Sequence, residues 1–204
     1  MEQWLSYIQR IRALAQNGLT YSPNKYDIDR YEELRQISEK MLADLTGISV
    51  ERMEYIFKDE KGYATPKVDV RGVIFKDNGI LMVRETIDDC WSLPGGWADI
   101  GFTPGEIAVK EVKEESGFVV EPVKLLAVLD KKCHKHPPAL DYTYKIFILC
   151  NIIGGEATPG METSDVAFFE RDKLPKLSLE RNTSAQIRML FAFLDDKQKM
   201  SIFD

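Results

Sequence analysis

The sequence predicts a mixed β-sheet flanked by helices, an α/β or α+β domain, preceded by a small all-helical domain. Apolar residues in 1–65 recur at steps of three and four, as on one face of a helix. From Lys67 onward they alternate with polar residues, as in strands, and helices interrupt those strands singly. We therefore expect two domains, residues 1–65 and residues 66–204.

Three helices are predicted in the first domain. The first ends at Asn17-Gly18. The second begins after Asp29, with Glu32 completing a capping-box pattern, and ends at Gly47. Ser49 caps a short third helix. Because about 65 residues bury little surface alone, we expect these helices to form a dimerisation or lid element.

Five strands and two helices are predicted in the second domain. The tripeptide Asp77-Asn78-Gly79 indicates a hairpin between the first two strands. The other strands are expected over residues 123–129, 142–153 and 166–169. One helix is expected from Thr103 to Ser116, and another after Thr183, where Gln186 completes a capping box.

The charge and composition disfavour several classes of protein. The 33 acidic and 27 basic residues give a formal charge of −6, which disfavours nucleic-acid and anionic-membrane partners. No apolar run approaches the ~20 residues of a membrane span, and no secretion signal is recognisable at the start. The three cysteines are interpreted as reduced, small buried thiols. We expect a cytoplasmic protein.

The helix expected over residues 103–116 carries a cluster of carboxylates. Glu111, Glu114 and Glu115 share one face, with Cβ atoms roughly 5–6 Å apart. Each pair costs about 3 kcal/mol at an effective dielectric of about 20, and a divalent cation would reverse that sign. Such a cluster alone is also typical of a solvated, salt-bridged helix face. The glycines Gly95 and Gly96 just before the helix favour a site, because their backbone can approach a ligand closely.

Residues 93–120, LPGGWADIGFTPGEIAVKEVKEESGFVV, resemble the Nudix box, G-x5-E-x7-R-E-U-x-E-E-x-G-U, where U is apolar. The matching positions are Gly96, Glu111, Val112, Glu114, Glu115, Gly117 and Phe118. Phe102 and Lys110 depart from it, standing where the pattern has Glu and Arg. The missing carboxylate puts the number of bound ions in doubt.

The resemblance implies a Nudix α/β/α sandwich and metal-dependent hydrolysis of a nucleoside diphosphate linked to another group, with Mg²⁺ or Mn²⁺. By family position, Glu111, Glu114 and Glu115 are the metal ligands or base, and the carbonyl of Gly95 is a further ligand. A late acid completes the site, with Glu162 or Asp165 as the candidates, although Glu162 could equally be a solvated loop residue.

The layout of the whole chain is similar to a bacterial Nudix subgroup that includes enzymes acting on CDP-choline and on ADP-ribose. That similarity makes CDP-choline the first expected substrate and ADP-ribose the alternative. A nucleotide-sensing regulator without catalysis is a further alternative, although residues 1–65 lack the basic excess of a DNA-reading module. We expect a homodimer.

Five side chains are candidates for substrate binding. Arg71 and Arg84 lie on or beside strands and could pair with phosphate oxygens, and Trp97 could stack on a base or fill the core. Lys131 begins the basic loop KKCHKHPP, which could guide a phosphorylated leaving group or be a solvated tip. Tyr144 could line the pocket or only pack. Phe102 is expected to pack under the helix.

Overall fold

A computed structural model describes residues 2–204, with the side chains from residue 3 onward. The chain divides into two compact units, Met1–Pro66 and Lys67–Asp204. Unit 1 is helical, and unit 2 contains the strands and two helices, so the mixed α and β composition expected from the sequence is confirmed. Within the described residues, no helix is long and apolar enough to cross a membrane.

Unit 1 contains the three expected helices: α1 (Glu2–Tyr21), α2 (Lys25–Thr46) and α3 (Val50–Phe57). Ser49 caps α3 and Gly47 ends α2 in the left-handed conformation, as predicted. Two predicted boundaries are wrong. The N-cap of α2 is Asn24, whose side chain accepts a hydrogen bond from the amide of Tyr26, so Asp29 lies inside the helix.

Gly18 is not a helix stop, because α1 continues to Tyr21. A Cβ atom at Gly18 would lie 2.5 Å from ring atoms of Tyr31 in α2. The glycine therefore allows α1 and α2 to pack closely, which a reading of local turn propensity does not reveal.

Unit 2 contains two sheets. The first has the strand order β5-β1-β7-β6-β9, formed by β1 (Lys67–Val73), β5 (Gly95–Trp97), β6 (Phe118–Asp130), β7 (Thr143–Gly155) and β9 (Ile202–Phe203). The second contains β2 (Phe75–Lys76), β3 (Gly79–Glu85), β4 (Trp91–Ser92) and β8 (Thr163–Glu170). Since β1 pairs with β7 in parallel and with β5 antiparallel, the first sheet is mixed.

The five predicted strands correspond to β1, β3, β6, β7 and β8, and four strands of two or three residues were not predicted. The hairpin between β2 and β3 is confirmed. Its left-handed turn residues are Asp77 and Asn78, with φ of 49° and 63°, while Gly79 already belongs to β3. Asparagine and aspartate tolerate this conformation better than other non-glycine residues.

Two apolar clusters hold the layers of unit 2 together. One lies against α4 (Pro104–Ser116) and includes Val70, Leu81 and Val112. The other lies against α5 (Ser184–Asp195) and includes Phe147 and Phe191. Strand β1 contributes to both, because alternate residues point to opposite faces. The helix with the glutamates is thereby held against one face of the first sheet.

The cysteines are all free. Cys90 and Cys150 are buried, as expected, and burial raises the pKa of Cys150 to about 12. The expectation is wrong for Cys133, which is exposed at the end of the 3-10 turn Lys131–Cys133.

Candidate active site

The loop before α4 is shaped by its glycines. Gly95 has a φ of 147°, and a Cβ atom there would lie 2.1 Å from the carbonyl oxygen of Val70. Only glycine fits this close pairing of β5 with β1, in which Gly95 faces Arg71. The loop is thereby held against the sheet directly before the helix that carries the glutamates.

Helix α4 begins and ends as the sequence predicts. Thr103 accepts a hydrogen bond from the amide of Glu106, and the Glu106 carboxylate accepts one from the amide of Thr103, completing the capping box. Pro104 occupies the first turn, and Gly117 ends the helix with a φ of 77°. These contacts fix the register of the glutamates along the helix.

The three glutamates of the cluster differ in their surroundings. Glu115 is 7% exposed, and its Oε2 accepts a hydrogen bond of 2.8 Å from the amide of Gly95. Glu111 lies beside Gly96, where a Cβ atom would come within 2.9 Å of its Oε2. The side chain of Glu114 is 59% exposed. Two carboxylates therefore converge on the glycine loop while the third faces solvent.

Lys110 supplies a positive charge among these carboxylates. Its Nζ lies 3.0 Å from Oε1 of Glu111, 3.5 Å from Oε2 of Glu114 and 3.5 Å from Oδ2 of Asp99. The hydrogen bond to Glu111 and the surrounding negative charge raise the pKa of Lys110 above its usual value. The lysine that replaces the arginine of the box therefore acts as a counter-ion of the cluster.

Burial is the main reason that the pKa of Glu115 is raised to about 8. Arg71 and the amide of Gly95 act in the opposite direction, whereas the charges of Glu85 and Glu111 raise it further. The donor set of the site consists of carboxylate oxygens, which are the ligands that a hard divalent cation such as Mg²⁺ prefers. The residues present therefore fit such an ion. Among residues 2–204, no cage of three or more His, Cys, Asp or Glu side chains is already arranged around a metal position.

The two candidates for the late acid, Glu162 and Asp165, lie beside the C-terminal end of β3. The carbonyl oxygen of Glu162 accepts hydrogen bonds from the amide and hydroxyl of Thr86, while its side chain is exposed. Asp165 pairs in register with Arg84, and its Oδ1 accepts a hydrogen bond from the amide of Val166. The backbone of Glu162 is therefore held next to Glu85, the last residue of β3.

The two aromatic residues near the box are both half exposed. Trp97 and Phe102 are each 51% exposed, so the expectation that Phe102 packs under α4 is wrong. Phe102 follows a loop in which Ile100 is fully exposed, and its amide donates to the carbonyl of Asp99. Lys67 lies 5.8 Å from the centre of the Trp97 ring. Trp97 is therefore not a core residue, and its role as a base-stacking side chain stays a prediction.

The arginines selected from the sequence are both in ion pairs. Arg71 is buried, and its Nε and Nη2 contact the two oxygens of Asp69 at 2.8 and 2.7 Å. Its Nη1 donates to the carbonyl of Leu93. Lys145, 1% exposed, completes this network at 2.9 Å from Asp69. Arg84 pairs with Asp89 at 2.7 Å.

The basic loop is held by contacts with distant segments. Lys131 pairs with Glu180 at 3.1 Å, and His134 lies 3.1 Å from Asp204. His136 is buried, with its Nδ1 at 2.7 Å from the carbonyl oxygen of Leu179. Tyr144 is 41% exposed. These contacts attach the loop to residues 179–180 and 204, so it is not a wholly solvated tip.

Two residues near the carboxylates escaped the sequence analysis. Glu85 is 2% exposed, and its Oε1 contacts the hydroxyl of Ser92 at 2.5 Å and Nε of Arg181 at 2.7 Å. The only signal for Glu85 was a charged residue at the end of an apolar strand. No local pattern placed Arg181 at the site, because its proximity to Glu85 depends on the tertiary structure.

Comparison with known families agrees with this geometry. The NUDIX domain family matches residues 65–192, more than half of the chain. The chain belongs to the Nudix family. A second family, described as a UDP-X-like, N-terminal oligomerisation domain, matches residues 2–57. The Nudix chain is therefore an enzyme of the class that hydrolyses nucleoside diphosphate-linked substrates, a class that generally uses divalent cations. Membership of this family favours the hydrolase over the alternative of a nucleotide-sensing regulator without catalysis.

Two relatives of this Nudix chain are named as ADP-ribose pyrophosphatases. A Bacillus subtilis protein, provisionally named as the ADP-ribose pyrophosphatase YjhB, is 52% identical over 99% of this chain and 97% of its own length. An ADP-ribose pyrophosphatase of Methanocaldococcus jannaschii is 34% identical over 58% of this chain and 70% of its own length.

Two solved structures resemble it as well. The crystal structure of an ADP-ribose pyrophosphatase from Streptococcus suis is 43% identical and covers 69% of this chain and 100% of its own, with a TM-score of 0.62. That of a UDP-X diphosphatase is 33% identical and covers 99% and 98%, with a TM-score of 0.65. The fold similarity therefore extends over both units of the Nudix chain.

Proposed function

We propose that this chain hydrolyses the diphosphate bond of a nucleoside diphosphate linked to a second group, with Mg²⁺ or Mn²⁺, releasing a nucleoside monophosphate and the phosphorylated second group. The observation that carries the proposal is the hydrogen bond from Gly95 to Glu115, with Glu111 against the neighbouring Gly96. This arrangement brings two carboxylates to the glycine loop.

In this proposal, Glu111, Glu115 and the carbonyl of Gly95 hold the cation, and Glu114 joins them or accepts a proton from the attacking water. The bound ion supplies a Lewis acid for the phosphate oxygens and orients the water. Glu162 is proposed as the late acid, supported by the position of its backbone beside Thr86. Lys110 keeps the carboxylates together through its ion pairs.

The proposed substrate contacts follow exposure and charge. Trp97 stacks on the base, and Tyr144 lines the pocket, since both are substantially exposed. Lys131 and Arg84 are the candidates for the phosphorylated partner. Arg71 is buried and bonded to Asp69, so it is not free to contact the substrate. We propose that it acts on the site through its charge. That positive charge next to Glu115 favours the ionised carboxylate.

ADP-ribose and CDP-choline are the two substrates to compare first. ADP-ribose is supported by the names of the Bacillus subtilis and Streptococcus suis relatives. CDP-choline is supported by the sequence similarity to the subgroup with an N-terminal helical domain, and a pyrimidine nucleotide also agrees with the likeness to a UDP-X diphosphatase over nearly the whole chain.

A product assay tests the proposal. The chain is incubated with ADP-ribose, CDP-choline and UDP-linked sugars in Mg²⁺ or Mn²⁺, and products are separated by anion-exchange chromatography. We expect a nucleoside monophosphate from at least one substrate, with a loss of at least a hundredfold in Glu115→Gln and normal activity in the exposed control Glu121→Gln. Absence of a monophosphate from every substrate, or full activity of Glu115→Gln, would refute the mechanism.

We also propose that unit 1 forms a homodimer. Its helix α1 leaves Trp4, Tyr7 and Leu14 exposed by 62%, 51% and 48%. Exposed apolar side chains of this size are typical of an interaction surface. The match of residues 2–57 to a family described as an oligomerisation domain supports the same proposal.

A further inference from the structure

The ion pair of Glu85 with Arg181 lies next to the proposed catalytic carboxylates. Ser92 donates its hydroxyl to Glu85, and Gly95, three positions later, donates its amide to Glu115. Three residues span at most about 10 Å. One short segment therefore holds both carboxylates, and Arg181 reaches this segment through Glu85.

Two nitrogens of the Arg181 guanidinium have partners among the described residues, and the third is free. Its Nε contacts Glu85 at 2.7 Å, and its Nη1 donates to the hydroxyl of Ser178 at 3.2 Å. Ser178 is itself fixed by a hydrogen bond of 2.7 Å to Asp88. Within residues 2–204, Nη2 of Arg181 has no hydrogen-bond partner, and the side chain is 26% exposed. Two nitrogens thus fix the orientation of the guanidinium, and Nη2 is left as a free donor.

Arg71 is less able to receive a phosphate. All three guanidinium nitrogens of Arg71 already have partners, and its side chain is only 5% exposed. Arg84, which is proposed to contact the phosphorylated second group, pairs its Nη2 with Asp89 on the loop after β3. Arg181 combines a fixed orientation, a free Nη2 and proximity to the carboxylates. These properties favour a charge-assisted hydrogen bond from Nη2 to a phosphate oxygen.

We propose that Arg181 binds the diphosphate of the substrate through Nη2, with Glu85 and Ser178 acting as positioning residues that hold its guanidinium. This assignment rests on the proposed function, because it assumes that a diphosphate occupies the site. The register between β3 and β8 shifts between Arg84 and Glu85, where Ser164 is the extra residue on β8. Such irregularities are common next to active sites.

The test compares the binding of a diphosphate and a monophosphate. Calorimetry in MgCl₂ measures the affinities of α,β-methylene-ADP, whose P–C–P bridge resists hydrolysis, and of AMP for the full chain. We expect Arg181→Gln to lower the affinity for α,β-methylene-ADP by roughly tenfold or more, because a charge-assisted hydrogen bond to the distal phosphate is lost. The affinity for AMP should fall by much less. Arg181→Lys, which keeps the charge but not the fork, should lie between. The matched control is Arg188→Gln, an exposed arginine on α5.

The alternative is that Arg181 only neutralises the buried Glu85. The double variant Glu85→Gln with Arg181→Gln separates this structural role from a contact with phosphate. Removing both charges relieves any burial penalty, so a structural role predicts recovery of the affinity for α,β-methylene-ADP. A phosphate contact predicts that the defect persists. The double variant and Arg181→Lys also keep the test valid if Arg181→Gln unfolds.

Several outcomes would overturn the assignment: recovery in the double variant, equal weakening of AMP and α,β-methylene-ADP, no effect of Arg181→Gln, or a wild-type chain that does not prefer the diphosphate. A wild-type chain that binds α,β-methylene-ADP tightly but releases no monophosphate from any substrate would refute the proposed function instead. In that case the assignment of Arg181 would stand if Arg181→Gln weakens the binding of α,β-methylene-ADP more than that of AMP.

Discussion

The amide of Gly95 and the carboxylate of Glu115, 20 residues apart in the sequence, are joined by a hydrogen bond of 2.8 Å. The bond ties the first residue of β5 to the last turn of α4. Glu115 is buried and Gly95 tolerates no side chain, so both ends of the bond lie in closely packed surroundings.

Replacing Gly96 should affect activity more than stability. In Gly96→Ala, the new Cβ lies 2.9 Å from Oε2 of Glu111, which must move because the end of a side chain yields more easily than backbone. A displacement of about 1 Å at a catalytic group can cost roughly a hundredfold in rate, and we expect a fall of that order in kcat/KM. Steady-state kinetics and thermal unfolding measure the two effects.

The control for this variant is Gly105→Ala. Gly105 lies in α4, and a Cβ atom there would be at an ordinary contact distance of 3.4 Å from Pro122 of β6. Alanine should stabilise the helix by about 0.5–1 kcal/mol and leave kcat/KM unchanged. Equal activity of Gly96→Ala and Gly105→Ala would contradict the close approach of Glu111 to the loop.

Divalent cations should stabilise the folded chain. Binding an ion among Glu111, Glu114 and Glu115 offsets their mutual repulsion, and a hundredfold excess over Kd contributes about 2.7 kcal/mol. We expect MgCl₂ to raise Tm by several degrees relative to NaCl of the same ionic strength. Chelation should reverse the shift, Glu115→Gln should reduce it, and Glu121→Gln should retain it. An identical shift in Glu115→Gln would place the ion elsewhere.

The stability of unit 2 should decrease between about pH 6.5 and pH 4 because of His136. Burial lowers its pKa from 6.5 to about 4, and the charges of Lys145, Lys131 and His134 act in the same direction, against the carbonyl of Leu179. The unfolded state therefore binds the proton first as the pH falls. Above pH 6.5 both states are neutral and the stability is fully present, whereas below it up to about 1.4 kcal/mol per pH unit is lost.

Denaturant unfolding at several pH values measures this loss. In His136→Asn, whose amide can replace the donor to Leu179, the free energy of unfolding should depend less on pH within that window. The summed difference from wild type should reach about 3 kcal/mol. His134→Asn is the matched control and should keep the contribution of His136. Parallel curves for wild type and His136→Asn would show that this histidine is not responsible.

The exposed face of α1 should govern the oligomeric state. Replacing Trp4, Tyr7 and Leu14 by serine removes apolar surface that association would bury. We expect sedimentation to show a dimer for wild type and a smaller mass for the triple variant. Met161→Ser, at a fully exposed methionine of unit 2, is the control and should remain dimeric. A wild-type monomer at micromolar concentration would contradict the proposed dimer.

Local signals in the sequence predicted α4, α5 and the β2–β3 hairpin well. Their ends depend on residues within a few positions: Thr103 with Glu106, Thr183 with Gln186, and the turn at Asp77. The predicted start of α2 was wrong because two capping patterns compete, and Asn24 is the N-cap of the helix. Local patterns therefore fix an element where one signal dominates.

Long-range pairing accounts for what the sequence did not predict. The parallel pairing of β1 with β7 brings Lys145 opposite Asp69, which buries Arg71 in a network that no local pattern indicates. Arg181 and Glu85 likewise meet only through the fold. The residues of the box could be found because one helix and its adjoining loop carry them, whereas the residues around it come from distant strands.

The self-contained ends of α4 also bear on the order of folding. Contacts between near neighbours form within microseconds, whereas pairings across long stretches of chain close more slowly. The helix with its glutamates can therefore form early, while the bond from Gly95 and the pair of Glu85 with Arg181 wait for the sheets. A newly made chain would acquire its acidic helix first and its complete site last, so that ability to bind a diphosphate would report the end of folding.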